Sequence, residues 1–326
     1  MRNVARTTYI LGAGASRHAG YPFASSMGRE LLQWMKQPRA QVYYDYPGNA
    51  EYLEKRFGDD IEALMKGIQK ALRNHERDFA MMVNFFKPSL IQGMREWFAE
   101  IHQQNHALAY EVFASEIVRP GDCVITFNYD ISLDYQLRRA SKWAVGDGYG
   151  FRIEGLPKNS PVTLLKLHGS INWLAVLFGG MTGGGAFGSR PVIPDDGLSA
   201  IGYEGVIDPS WPRDGISAVP PMILPTNRKQ FYFATNMGRE WGSFWNRLWR
   251  AARKAIRTSD RIVICGYGLF PIDKRGCNLL LKGELQGEVE VCSGRRTDTI
   301  VAELRAHGRT ANPAKELYFE DWVNSQ

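Results

Sequence analysis

The stretch TTYILGAGASRHAGYP, from Thr7 to Pro22, decides the fold of this chain. Thr8 to Leu11 has the character of a short buried strand, and Met27 to Lys36 has that of the helix which follows it. Between them lies a turn of small residues that allows close approach of a ligand to the backbone. Its members are Gly12, Ala13, Gly14, Ala15 and Ser16. A strand, a small-residue turn and a helix in this order predict a phosphate-binding turn in an open α/β sheet.

The glycine turn by itself does not identify its ligand. The chain has no GxxxxGK[ST] motif, which argues against a Walker-type ATPase. The turn also departs from GxGxxG, because Arg17 stands where the third glycine is expected. Dinucleotide binding and an ordinary tight turn therefore both stay open at this point.

The remaining pattern alternates apolar strands with helices. The strand candidates are DCVITFN, VTLLKLHG, RIVICGYG and EVEVCSG, in that order along the chain. This alternation predicts an α/β fold with a Rossmann-like open, mainly parallel sheet. We expect a single domain over residues 1–326, with a helical insertion at about 37–118 and a loop insertion at about 179–225. The part of the loop insertion from Gly179 to Gly215 is rich in glycine, proline and aspartate, a composition often found in lids.

Composition excludes several classes of protein. A net charge of +6 is too small to indicate nucleic-acid binding, and the basic face of the helix at 240–257 is typical of a solvated surface. No apolar run approaches the roughly 20 residues that span a bilayer, so we expect a cytoplasmic protein without membrane contact. The four cysteines are scattered and form no CxxC pair, so no metal site is expected.

Polar residues follow two of the predicted strands. Asn128 and Asp130 lie at the end of ITFNYD, and His168 lies at the end of LLKLHG. Ligands of open parallel sheets bind at the carboxyl ends of the strands, so these residues are candidates for a site. Each also has an ordinary structural explanation, since Asn and Asp favour turns and a histidine at a strand end is commonly a hydrogen-bonded structural residue.

Five segments together resemble one known group of proteins. They are GAGAS (12–16), GYP (20–22), FNYD (127–130), LHGSINW (167–173) and CGYGLFP (265–271). In this order they are similar to the sirtuin-like superfamily, and more narrowly to its bacterial branch of NAD-cleaving domains in anti-phage defence. ILPTNRK (223–229) also resembles a segment of that branch.

The resemblance implies a role for each matching residue. It places NAD, as substrate, against the glycine turn and Pro22. It implies that Asn128 and Asp130 contact the nicotinamide-side ribose and the carboxamide, and that His168 is the general base. Gly266 and Tyr267 are implied to lie against the adenosine half, with Ser293 beside the adenine. An alternative for the 265–273 segment is a tight turn in which Asp273 caps the next helix.

Two departures from the sirtuin pattern bear on activity. Protein-deacylating sirtuins carry an arginine soon after the GYP-like turn and a four-cysteine zinc module, and this chain has neither. We therefore expect an NAD⁺ glycohydrolase that releases nicotinamide and ADP-ribose, and that is an effector in anti-phage defence. The alternatives are an NAD-dependent protein deacylase and a non-catalytic module that binds NAD or ADP-ribose.

Uncontrolled loss of NAD would harm the cell, so we expect regulation. The chain shows no recognisable sensor domain, which favours activation by assembly. The expected partners are further copies of the chain, in a homo-oligomer, or another protein such as a translocase or nuclease.

Overall fold

The computed structural model describes residues 5–38, 45–74, 86–144, 147, 149–150, 160–172 and 238–326, together with five short strands between 174 and 219. The predicted ILPTNRK segment (223–229) and most of the predicted lid lie outside the described residues.

Six parallel strands form the main sheet, which confirms the predicted fold class. They are β1 (Thr7–Leu11), β2 (Cys123–Thr126), β3 (Thr163–Lys166), β9 (Arg261–Cys265), β10 (Glu288–Cys292) and β11 (Ala311–Pro313). Residues of β1, β2 and β9 are almost all buried, as expected for central strands covered on both faces.

The order of the strands is β11-β10-β9-β1-β2-β3. The chain runs from β1 outward to β3, and later returns to β9 beside β1 before running outward to β11 in the other direction. The winding therefore reverses between β1 and β9. Open α/β sheets bind ligands at such a reversal, outside the carboxyl ends of the strands.

A second, antiparallel sheet is made of β4 (Leu174–Val176), β5 (Pro191–Pro194), β6 (Ala200–Gly202), β7 (Gly205–Val206) and β8 (Ala218–Val219). Four of these described strands lie within the segment predicted as a loop insertion. That segment is rich in glycine and proline, and the apolar stretches between them are too short to predict strands.

Helices occupy most of the described part of the predicted helical insertion, and further helices follow β2. Those before β2 are α1 (Met27–Met35), α2 (Tyr46–Phe57), α3 (Ile61–Arg73), α4 (Lys87–Gln104) and α5 (Leu108–Val112). Those after it are α6 (Ser132–Arg139), α7 (Gly238–Arg257), α8 (Lys274–Leu281), α9 (Thr297–Ala306) and α10 (Phe319–Asn324). On α7, Trp245 and Trp249 are buried, so this part of its apolar stripe packs into the core. None of the helices in the described ranges is long and apolar enough to cross a membrane.

The glycine turn continues as a 3₁₀ helix over Ala13–Ala19, and the α-helix begins only at Met27. The 3₁₀ helix is held by aromatic residues from two distant elements. The ring of His18 lies edge-on to Tyr110, with centroids 4.8 Å apart, and 5.7 Å from the ring of Phe319. Burial lowers the pKa of His18 to about 4.

This burial predicts a pH-dependent stability. In the unfolded chain an imidazole titrates near 6.5, so as the pH falls the unfolded state binds this proton before the folded state does. The contribution of neutral, buried His18 to the free energy of unfolding is therefore complete above about pH 6.5. It is lost as the pH falls toward 4. Between pH 7.5 and 5, we expect the wild type to lose about 2 kcal/mol of unfolding free energy more than His18→Phe, as measured by urea denaturation.

The control is His307→Phe, which changes an exposed histidine just after α9 and should keep the wild-type pH dependence. If the unfolding free energies of the wild type and of His18→Phe changed with pH in parallel, the result would contradict a lowered pKa of His18.

Candidate functional site

A cavity of about 940 Å³ opens at the carboxyl ends of the main-sheet strands. It collects residues that are far apart in the chain. The predicted site residues on its wall are Gly12, Ala13, Gly14, Ser16, Pro22, Asn128, Asp130, His168, Gly266, Tyr267 and Ser293. Ala15 is the exception among the predicted residues, because it is fully buried and packs behind the turn.

The amides of the glycine turn are largely used within the protein. Gly12 N donates to Cys265 O at 2.9 Å, Gly14 N donates to Gly266 O at 3.0 Å, and Ala15 N donates to Gly12 O at 2.9 Å. The sequence predicts a phosphate-binding turn, in which backbone N–H groups of this kind would face the phosphate. That expectation is corrected for these three N–H groups, since each already has a carbonyl acceptor.

The glycines permit two turns to touch. A Cβ on Gly12 would lie 2.6 Å from Gly266 O, and a Cβ on Gly266 would lie 2.2 Å from Ala15 N. Gly266 also has a φ of +64°, in the left-handed region that favours glycine. The small residues of both motifs are therefore required for the contact between the ends of β1 and β9.

Asn128 and Asp130 are tied to the turn through Ser16. Asn128 Nδ2 donates to Gly12 O at 2.9 Å and to Ser16 Oγ at 2.8 Å. Ser16 Oγ in turn donates to Asp130 Oδ2 at 2.6 Å and is hydrogen-bonded to the Tyr110 hydroxyl at 2.8 Å. The network fixes both predicted residues at the base of the cavity, where Asn128 is 9% and Asp130 3% exposed.

Charge beneath this network is balanced by a buried lysine. Burial raises the pKa of Asp130, while the positive charge of Lys166 opposes that shift. Lys166 Nζ donates to the backbone oxygen of Asp130 and lies 3.2 Å from the Asp134 carboxylate. The ammonium is fully buried, so its partners on β2–α6 fix the end of β3.

His168 is paired with an acid from the far side of the cavity. Its Nε2 lies 3.2 Å from Asp273 Oδ2, and the Tyr267 hydroxyl donates to the same oxygen at 2.8 Å. Asp273 Oδ1 accepts from Gly276 N at 3.1 Å, so the predicted helix cap is also present. The ring of Phe127 stacks on Tyr267 with centroids 4.1 Å apart and meets His168 edge-on.

Sequence reasoning missed the pairing of Asp273 with His168. The sequence signal for Asp273 was real, but it indicated only a helix cap, because the partner lies more than a hundred residues earlier. Tyr110, which binds Ser16, had no signal at all among the other residues of the helical insertion. Arg295 and Arg296 also line the cavity.

The described residues contain no group of histidine, cysteine and acidic side chains arranged to hold a metal ion. Cys123, Cys265 and Cys292 are buried free thiols in separate strands of the main sheet. Their side chains are therefore part of the core of that sheet.

No protein-family model matches the chain, and no curated protein matches it. Among solved structures it is similar to Sir2Tm bound to a propionylated peptide, with 11% identity and a TM-score of 0.43 over 98% of this chain and 91% of the other. It is also similar to a Sir2 homologue in complex with NAD, with 12% identity and a TM-score of 0.42 over 98% of this chain and 89% of the other.

The contact between the two glycine turns predicts an unusually costly substitution. Gly266→Ala should reduce the free energy of unfolding by about 3–5 kcal/mol, because it adds left-handed strain and a clash with the Gly14–Ala15 backbone. Chemical denaturation measures this loss.

Gly308→Ala is the matched control, since Gly308 has a φ of +75° and nothing within 4 Å of the added carbon. It should cost only about 1 kcal/mol from backbone strain. Equal losses for the two variants would show that the turns do not depend on close contact.

Proposed function

We propose that this chain cleaves the nicotinamide N-glycosidic bond of NAD⁺ and releases nicotinamide and ADP-ribose. The observation that supports the proposal most strongly is the placing of Asn128 and the His168–Asp273 pair on one cavity, beside the Gly12–Ser16 turn. The sequence motifs that resemble NAD-cleaving domains supply Asn128, His168 and the Gly12–Ser16 turn.

The size and position of the cavity fit a dinucleotide. Pockets for small molecules and cofactors span about 300–1,000 Å³, and this one lies near the upper end of that range. It also crosses the point where the winding of the sheet reverses, with His168 on one side and Ser293 on the other. A molecule with two nucleoside halves can occupy both sides at once.

The reaction needs charge stabilisation more than acid catalysis. Nicotinamide leaves as a neutral ring and takes the electron pair of the C1′–N bond, so the ribose carbon develops positive charge. The carboxylates of Asp130 and Asp273 lie near the base and wall of the cavity and favour a cation there. Asn128, held by two donated hydrogen bonds, positions the ribose and the attacking water.

His168 acts as the base in this proposal. Water forms the new bond to C1′ and gives one proton to the imidazole, either directly or through a ribose hydroxyl, and the proton then passes to solvent. Asp273 orients the ring and stabilises the imidazolium that forms. The balanced products are nicotinamide, ADP-ribose and one proton.

Protein deacylation is the second candidate, since it begins with loss of nicotinamide from the same ribose. Phe23 is exposed on the wall of the cavity and could contact an acyl-lysine chain. In that reaction an acyl oxygen replaces water as the nucleophile, so nicotinamide release would require an acylated peptide.

We further propose that the reaction takes place in the cytoplasm, as an effector step of anti-phage defence. The basis is the motif resemblance, together with the harm that continuous NAD loss would cause. Activation by self-assembly or by a partner such as a translocase or nuclease follows from the same reasoning.

Nicotinamide release tests the proposed function. The purified chain is incubated with NAD⁺, alone and with candidate partners, and nicotinamide and ADP-ribose are measured by chromatography. His168→Ala and Asn128→Ala should each slow release about 10²–10⁴-fold, because each removes a positioned group at the reacting ribose. His106→Ala, which changes an exposed histidine away from the cavity wall, should leave the rate unchanged.

Asp273→Asn distinguishes a role of Asp273 in catalysis, through its pairing with His168, from a role as a helix cap alone. Loss of the carboxylate disfavours the protonated imidazole, so the acidic limb of the kcat/KM profile should move to lower pH. Asp45→Asn changes another capping carboxylate, which accepts from Gly48 N at 3.1 Å, and should not move the profile. Release that depends on an acetylated peptide would support the deacylase instead, and tight NAD binding without release would support a non-catalytic module.

A further inference from the structure

Two arginines lie on the cavity wall directly after β10. Arg295 and Arg296 follow Ser293 and Gly294, whose φ of +58° turns the chain at the end of the strand. Gly294 N donates to Leu317 O at 2.7 Å, which brings the segment before α10 against the same end of the cavity. We call this end of the cavity, with Arg295, Arg296, Phe270, Leu317 and Tyr318 on its wall, the β10 end.

The arginine donors are not used within the described part of the chain. Neither Arg295 nor Arg296 forms a side-chain hydrogen bond or ion pair with any described residue, and the buried Nε of Arg296 has no acceptor among them. The Arg296 guanidinium lies over the Phe270 ring, 4.8 Å from its centroid. The ring thus holds a guanidinium whose hydrogen-bonding capacity is left for a ligand.

Apolar surface surrounds these donors. Phe270, Leu317 and Tyr318 are 45%, 45% and 47% exposed, and all three line the cavity. Exposed aromatic rings beside guanidinium groups suit a purine that carries an anionic group. The segment before and at the start of α10 contributes one acidic residue, Glu320, to the cavity wall. The two arginines outweigh this single negative charge, so the β10 end is net positive.

The topology places the β10 end opposite the reacting ribose. Asn128 and His168 follow β2 and β3 on one side of β1, whereas Arg295 and Arg296 follow β10 on the other side. A dinucleotide with nicotinamide at His168 therefore carries its adenosine toward the arginines. In dinucleotide-binding folds, an acidic residue near the adenosine ribose binds its 2′-hydroxyl, whereas an arginine near that ribose accommodates a 2′-phosphate.

We propose that the β10 end binds a phosphate on the adenosine ribose, so that the chain prefers NADP⁺ to NAD⁺. The inference rests on the proposed function in one respect, namely that a dinucleotide occupies the cavity. Arg296, fixed on Phe270, binds the 2′-phosphate, and the more exposed Arg295 adds a second donor group.

Binding of adenosine bisphosphates to the full chain tests this without catalysis. Adenosine 2′,5′-bisphosphate and adenosine 3′,5′-bisphosphate have the same charge and composition and differ only in the position of one phosphate. Calorimetry should show the 2′,5′ isomer binding at least about tenfold more tightly. Arg296→Gln should weaken its binding about 10–100-fold, in line with loss of a charge-assisted hydrogen bond.

Control variants separate specific contact from general charge and from misfolding. Arg139→Gln changes an exposed arginine that lies over Tyr135, 5.9 Å from the ring centroid and away from the cavity wall, and it should keep wild-type binding. Arg295→Gln changes an exposed side chain and should also weaken the 2′,5′ isomer selectively. It keeps the test valid should Arg296→Gln reduce folding.

Equal binding of the two isomers would overturn the inference. Arginine variants that lose affinity for NAD⁺ and for NADP⁺ to the same extent would also overturn it, because that result would place the guanidinium groups on the pyrophosphate. Selective, arginine-dependent binding with no nicotinamide release from either dinucleotide would support this inference while refuting the proposed function. Rapid release of nicotinamide from NAD⁺, with no preference for NADP⁺, would support the proposed function while refuting this inference.

Discussion

The site depends on one contact, in which the turn after β1 lies directly against the turn after β9. Gly12 and Gly14 donate their amides to Cys265 and Gly266, and the missing side chains let the two backbones meet. This contact joins the loops after β1 and β9, the two neighbouring strands between which the winding of the sheet reverses. Asn128 binds the same turn through Gly12 O, so the end of β2 is positioned by the contact as well. The small residues therefore serve the protein's own structure before they serve any ligand.

Much of the fold and of the cavity wall could be predicted from the sequence. Short apolar runs ending in glycine or polar residues marked the central strands, and residues after parallel strands meet at one edge whatever their separation in the chain. Hydrogen-bond assignments were not accessible in this way. The use of the glycine-turn amides depends on how closely β9 approaches β1, and the pairing of His168 with Asp273 depends on two loops meeting across the cavity. The burial of Ala15 follows from the same close approach.

The electrostatic arrangement is uneven across the cavity. Near His168 lie the carboxylate of Asp130, with Lys166 buried beneath it, and that of Asp273, which reaches the imidazole from across the cavity. The β10 end has two guanidinium groups among exposed aromatic rings. A ligand that is positive at one end and phosphorylated at the other matches this pattern, since each charge meets its opposite. The pyridinium ring and the phosphates of a nicotinamide dinucleotide are distributed in that way. The charge of the cavity, as well as its shape, is therefore complementary to such a ligand.

We propose that one dinucleotide spans the contact between β1 and β9. A crystal structure of the His168→Ala variant soaked with the intact dinucleotide tests it most directly, because slow cleavage preserves the ligand. We expect the nicotinamide ribose beside Asn128, the pyrophosphate over the Gly12–Gly266 contact and the adenosine toward Ser293. A nicotinamide ribose lying at the β10 end, or a ligand confined to one side of the contact, would contradict it.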